Sequence, residues 1–164
     1  MSAIDDLLRN NEAYARRLDR AERSATPSRR VAVVACMDAR LDVYRLFGLQ
    51  PGEAHVIRNA GGVVTEDVVR SLLISQRLLG TREIALVHHT GCGMLTLRDG
   101  DLRAQIEEET GLRPPFTLEA FDDLIASVRH SIARIRDNPF IPHTDQARGF
   151  VYDVGTGRLE EVKA

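Results

Sequence analysis

The sequence contains no tryptophan and only two cysteines, Cys36 and Cys92. Without tryptophan, no site can be built on an indole ring. A lone disulfide is unusual in a cytosolic protein of this size, so the pair points instead to metal binding or catalysis. No stretch approaches the roughly 18 consecutive apolar residues of a membrane span, so a membrane is not an expected partner. Basic runs and aromatic-interleaved basic patches are also missing, which argues against nucleic acid. Neither a G-x-x-x-x-G-K-S/T loop nor a G-x-G-x-x-G fingerprint occurs, so nucleotide-binding readings of those kinds fail. The N-terminus, MSAIDDLLRNNEAYARR, opens with acids and has no apolar signal core, which predicts a cytoplasmic location. Repeats, low-complexity tracts and long linkers are lacking too, so residues 1–164 read as one domain.

What is present is the balance of a globular protein. Apolar residues make up 43% and charged residues 28%, with 22 basic against 24 acidic side chains. Ile4, Leu7, Leu8, Tyr14 and Leu18 recur at helical spacing, predicting an amphipathic helix over 4–20. VAVVAC (31–36), AHVI (54–57) and IALVHH (84–89) are short apolar runs of the kind found in strands buried on both faces. Residues 66–80 carry a helical period closed by Gly80, and Leu118, Phe121, Leu124, Ile125, Val128, Ile132 and Ile135 extend another over 116–137. GFVYDV (149–154) and LEEV (159–162), joined through Thr156-Gly157, read as a terminal hairpin. Strands alternating with helices predict an α/β fold, a mostly parallel central sheet flanked by helices. Ligands of such sheets sit outside the carboxyl ends of the strands. Cys36 ends the first run, and His89 and Cys92 follow the third.

His89-Thr90-Gly91-Cys92 sets two metal-ligating side chains three residues apart on a glycine-containing turn, and Cys36 supplies a third from another strand. Two sulfurs and an imidazole suit Zn²⁺, and three protein ligands leave the fourth position open for chemistry. Taken singly, Cys36 fits a buried small apolar residue equally well, and His89 fits a histidine bonded to a backbone carbonyl. His88 competes with His89, but neighbours on a strand face opposite ways; the turn spacing favours His89 and leaves His88 a packed core histidine. Cys36-Met37-Asp38-Ala39-Arg40, if extended, projects thiolate, carboxylate and guanidinium to one side. Asp38 can then accept a hydrogen bond from metal-bound water, with Arg40 keeping it ionised. The bland reading is a solvent-exposed ion pair.

CMDAR (36–40), VIRNAGG (56–62) and HHTGCGM (88–94), in this order, resemble the signatures of the β-class carbonic anhydrases. The likeness runs from about residue 29 to 97 and continues more weakly to GFVYDVGTGRL (149–159). The ACMDARLD form resembles the short bacterial and archaeal branch, which carbonyl sulfide hydrolases also resemble. The resemblance implies one Zn²⁺ per subunit on Cys36, His89 and Cys92, with Asp38 and Arg40 as the dyad beside it. It implies a homodimer able to pair into tetramers, with the N-terminal helix within 1–23 packing on a partner subunit. The reaction it implies is reversible hydration of carbon dioxide to bicarbonate by zinc-bound hydroxide. Hydrolysis of carbonyl sulfide or carbon disulfide by the same chemistry is the nearest rival, and a non-catalytic zinc-stabilised or thiol-sensing binding module, with a four-ligand closed site or a Cys36–Cys92 disulfide, is another. In some members the aspartate closes onto zinc, but their tryptophan-containing bicarbonate site has no counterpart here, so an open, water-bearing site is expected. Plant-type members line the pocket with Gln, Phe and Tyr, where this chain has Pro27, His55 and Ile74. His55 is a candidate proton shuttle by its ordinary pKa, though a buried bonded histidine fits as well. Ala60, Gly61 and Gly62 either free amides toward an oxyanion or turn the chain before the next helix. Arg58 binds either an anion or the backbone.

Overall fold

A computed structural model describes residues 2–18 and 24–163. In chain order its elements are α1 (Ala3–Arg17), β1 (Val31–Cys36), α2 (Val43–Phe47), β2 (Ala54–Asn59), α3 (Glu66–Arg77), β3 (Glu83–His89), α4 (Asp99–Thr110), α5 (Leu124–Arg136), β4 (Ala147–Tyr152) and β5 (Leu159–Val162). The apolar runs become strands of one sheet ordered β2-β1-β3-β4-β5. All pairings are parallel except β4 with β5, the expected hairpin. The α/β architecture read from the sequence is therefore the one observed.

The sheet is covered on both faces, which is why its central strands carry no polar alternation. Ala32, Val34, Ile84 and Leu86 pack with Val68 and Leu72 of α3 and Val128, Ile132 and Ile135 of α5. Val33, Ala35 and Val87 pack on the other side with Leu41, Val43, Leu49 and Met94. Each of these valine, leucine, isoleucine and methionine side chains, fully buried, contributes roughly 1.5–3 kcal/mol. Ser2 caps α1 in a reciprocal box with Asp5, and the helix buries none of its residues. The part of the 4–20 and 1–23 expectations that falls on 19–23 lies outside the described residues.

Two helix expectations need correction. The 66–80 helix stops at Arg77, and Gly80, at φ 73°, turns the chain toward β3. The 116–137 helix begins only at Leu124, where the Asp123 carboxylate caps it by accepting from the Ala126 amide. Upstream the chain is a loop pinned by the Asp99 carboxylate, which accepts from the amides of Leu118 (2.7 Å) and Ala120 (3.0 Å). Glu119 lies in left-handed backbone at φ 59°, which no α-helix accommodates. The apolar spacing of Leu118 and Phe121 thus came from loop packing.

Candidate metal centre

The carboxyl ends of β1 and β3 lie side by side because the strands are parallel neighbours, with Ala35 opposite Val87. Cys36 ends one strand and His89 the other, and Thr90-Gly91 turns the chain so that Cys92 faces back. The turn is fixed from β4, since the Thr90 amide donates to the Tyr152 carbonyl and the Thr90 hydroxyl accepts from the Val154 amide. The ligand atoms of Cys36, His89 and Cys92 all lie within 4.8 Å of one another, and all three residues are buried. Among the described residues no other group of His, Cys, Asp or Glu side chains is so arranged.

The two sulfurs stand 3.9 Å apart, and both thiols are free. A disulfide would need about 2.05 Å. Two sulfurs each about 2.3 Å from one tetrahedral ion stand about 3.8 Å apart. The observed separation excludes a disulfide and fits two sulfurs that share an ion. His89 Nδ1 is 3.0 Å from the Thr90 carbonyl, which can only accept, so the proton sits on Nδ1. Its Nε2 is buried and has no well-formed hydrogen bond among the described residues. Such an orphaned acceptor costs roughly 1–3 kcal/mol unless something takes its lone pair. A borderline-soft cation fits this donor set.

Without an ion the two thiols diverge. Burial opposes ionisation of Cys36, but contact with His89 and the amides of Asp38 and Gly61 outweighs it and lowers the pKa to about 7. Cys92 is raised to about 11, chiefly by burial and then by the neighbouring Cys36 charge. His89 is raised by its contact with Cys36, against burial. In metal-free protein Cys36 is therefore expected to alkylate faster than Cys92 at neutral pH. Its rate should rise through a midpoint near 7, as read by peptide mapping after iodoacetamide pulses. Equal labelling of the two thiols would contradict this.

Asp38 and Arg40 are not extended. The chain leaves the sheet after Cys36 and turns, with the Leu41 amide donating to the Asp38 carbonyl. The turn nevertheless brings the pair together. Arg40 donates from Nε to Asp38 Oδ1 (2.9 Å) and from Nη2 to Oδ2 (2.8 Å), and its amide also meets Oδ1 at 2.9 Å. These bonds hold the Asp38 carboxyl well below the usual carboxylate range. Arg40 Nη2 also donates to the Gly91 carbonyl, tying the dyad to the His89–Cys92 turn. Asp38 Oδ2 lies 3.7 Å from His89 Nε2, beside the triad. Arg58 takes the backbone option, donating to the carbonyls of Cys36 (2.9 Å) and Asp38 (2.8 Å).

Gly61 and Gly62 fold back over the end of β1. A Cβ at Gly62 would meet the Cys36 nitrogen at 2.8 Å, the Ala35 carbonyl carbon at 2.9 Å and the Val87 oxygen at 3.0 Å, on a backbone at φ 70°. These are backbone atoms and cannot move cheaply. Gly62→Ala is expected to cost about 2–4 kcal/mol of stability in a denaturant titration; a loss within half a kcal/mol would refute that packing. Ala60 lines a cavity of about 210 Å³ with Arg58 and Asn59. His55 and Ile74 line another of about 280 Å³. His55 pairs with Ala32, four residues before Cys36, so it stands roughly 13 Å back along the sheet from the triad of its own chain. It is bonded to the Ser75 hydroxyl (2.7 Å) and the Ala25 carbonyl (3.1 Å). Pro27 is buried.

His88 is fully buried, and its ring stacks on Phe121 with centroids 5.4 Å apart. Burial lowers its pKa to about 4, so it is neutral. The sequence places Phe121 on the apolar face of a helix over 116–137, not against His88. Pro114-Pro115 upstream and the Asp122-Asp123 cap were the signals that it sits in a loop rather than a helix.

Against known proteins, a family model described as carbonic anhydrase matches residues 31–159. The chain is 56% identical over 162 residues to β-carbonic anhydrase 1 of Mycobacterium tuberculosis, covering 99% of each. It is 32% identical over 183 residues to a carbon disulfide hydrolase of an Acidianus species, covering 96% of this chain and 88% of the relative. The solved structure of a carbonic anhydrase from Streptococcus mutans superposes with a TM-score of 0.93 at 41% identity, covering 99% of each chain.

Proposed function

The chain belongs to the β-carbonic anhydrase family, and we propose that it holds one Zn²⁺ per subunit on Cys36, His89 and Cys92 to interconvert carbon dioxide and bicarbonate. The observation that carries the metal assignment is the pair of thiols 3.9 Å apart beside an orphaned imidazole nitrogen. When bound, zinc supplies Lewis acidity that brings the pKa of a coordinated water from about 15.7 to about 7. The rest of the work falls to side chains. Arg40 engages both Asp38 oxygens, which keeps the carboxylate ionised and fixed in place. Asp38 thereby acts as a fixed acceptor that orients the attacking oxygen's lone pair toward the substrate carbon.

A second reading, hydrolysis of carbonyl sulfide or carbon disulfide, draws support from the Acidianus relative. These linear substrates ask for the same nucleophile and differ from carbon dioxide in size and polarity. Stopped-flow carbon dioxide hydration run beside sulfide release from carbon disulfide separates the two. The first is expected to be fast; negligible hydration with rapid sulfide release would replace our reading with the second.

We also take the working unit to be a homodimer. Ile4, Leu7, Leu8 and Tyr14 of α1 are all more than half exposed, an apolar face suited to a partner subunit. In that dimer His55 can meet a substrate path only from the second copy, since it stands roughly 13 Å back along the sheet from its own triad. Sedimentation velocity on the assayed sample distinguishes monomer, dimer and tetramer. No described helix is long and apolar enough to cross a membrane.

A further inference from the structure

Behind the triad lies a second set of contacts that the catalytic reading leaves unused. The Gly61 amide donates to the Cys36 sulfur. Gly61 sits in left-handed backbone at φ 81°, and the space where its Cβ would be is filled by Met94 (3.1 Å) and Phe121 (3.2 Å). The next residue, Gly62, offers its carbonyl to His88 Nε2 at 3.2 Å. A carbonyl only accepts, so His88 carries its proton on Nε2 and holds Gly62 from one side. Phe121 stacks on that same imidazole with ring planes 23° apart. The Phe121 amide donates to the Met94 carbonyl, two residues beyond Cys92, and Asp99 pins the loop just upstream. One ring pair thus braces the glycine turn whose amide points at a metal-ligand sulfur.

We propose that Phe121 and His88 are positioning residues: they hold the Gly61 amide on the Cys36 sulfur and so set how strongly that sulfur donates to the metal. The inference rests on Cys36 being a ligand, as proposed above. A hydrogen bond to a ligating thiolate draws electron density from it, leaving the metal more electrophilic. Removing the brace lets the amide drift, and the sulfur becomes the stronger donor.

Cobalt(II) in place of zinc makes this visible, since sulfur-to-cobalt charge transfer absorbs in the near ultraviolet. In the cobalt form of Phe121→Ala the band is expected to move to lower energy. In the zinc form the pH midpoint of kcat/KM is expected to rise by roughly one unit. Phe121→Tyr, which keeps the ring, should restore both. If Phe121→Ala does not fold, Phe121→Leu fills most of the space without stacking and is read the same way. A variant that binds cobalt stoichiometrically with an unmoved band and midpoint overturns the inference, even if kcat falls. Absence of the band from the unmodified protein would instead overturn the metal assignment, and this inference with it.

Discussion

Replacing Cys92 with serine is expected to abolish stoichiometric zinc binding and with it essentially all turnover. A hydroxyl does not ionise at neutral pH and is a poor ligand beside a thiolate. Apparent binding energies of about 10–16 kcal/mol for four-ligand zinc sites imply roughly 3 kcal/mol or more per ligand, a loss of about 10²–10³-fold in affinity. The effect should be local. Cys92 follows β3 and enters no strand pairing, so the sheet has no need of its sulfur. Far-ultraviolet circular dichroism should therefore match the parent, while metal analysis after dialysis reads near zero. Cys36→Ser should behave alike. A Cys92→Ser protein retaining one zinc per chain would remove this residue from the ligand set and would also unseat the argument from the sulfur separation.

The triad was legible in the sequence because its chemistry restricts residue type and its fold restricts place. Only a few side chains bind a borderline-soft ion, and parallel strands deliver their carboxyl ends to one edge. With two cysteines in the whole chain, the choice was narrow. The strands were legible for a related reason: burial on both faces leaves an unbroken apolar run. The rest depended on contacts that span the sequence. α4 buries none of its residues, so it carried no apolar stripe by which to be read. The loop at 117–123 copied a helical period while Asp99, about twenty residues upstream, held its amides in another conformation. Phe121 reaches His88 only because that stretch is not helical. The Asp38–Arg40 pair was found in the right company although the expected extended geometry was wrong, because a turn and a strand of that length both let the two side chains meet.

Asp38→Asn is expected to separate binding from rate. On the ligand set proposed above, Cys36, His89 and Cys92 hold the ion and the substitution touches none of them, so zinc content should stay at one per chain. What changes is the acceptor. The carboxylate offers two equivalent oxygens and engages Arg40 with both. An amide keeps one oxygen and presents an NH₂ on the other side, which Arg40 cannot meet without opposing two donors. The fork should open, and the group beside the triad would then offer a donor where the reaction needs an acceptor. Outer-shell partners of this kind are typically worth 10–100-fold, and a group steering proton placement about 10²-fold or more, so kcat/KM should fall by about 10². Arg40→Lys should fall less, since an ammonium still keeps Asp38 charged but has no planar fork to hold both oxygens. Normal zinc with near-parental kcat/KM in Asp38→Asn would mean that the carboxylate only pins the turn after β1 and that the orientation of the attacking oxygen comes from elsewhere.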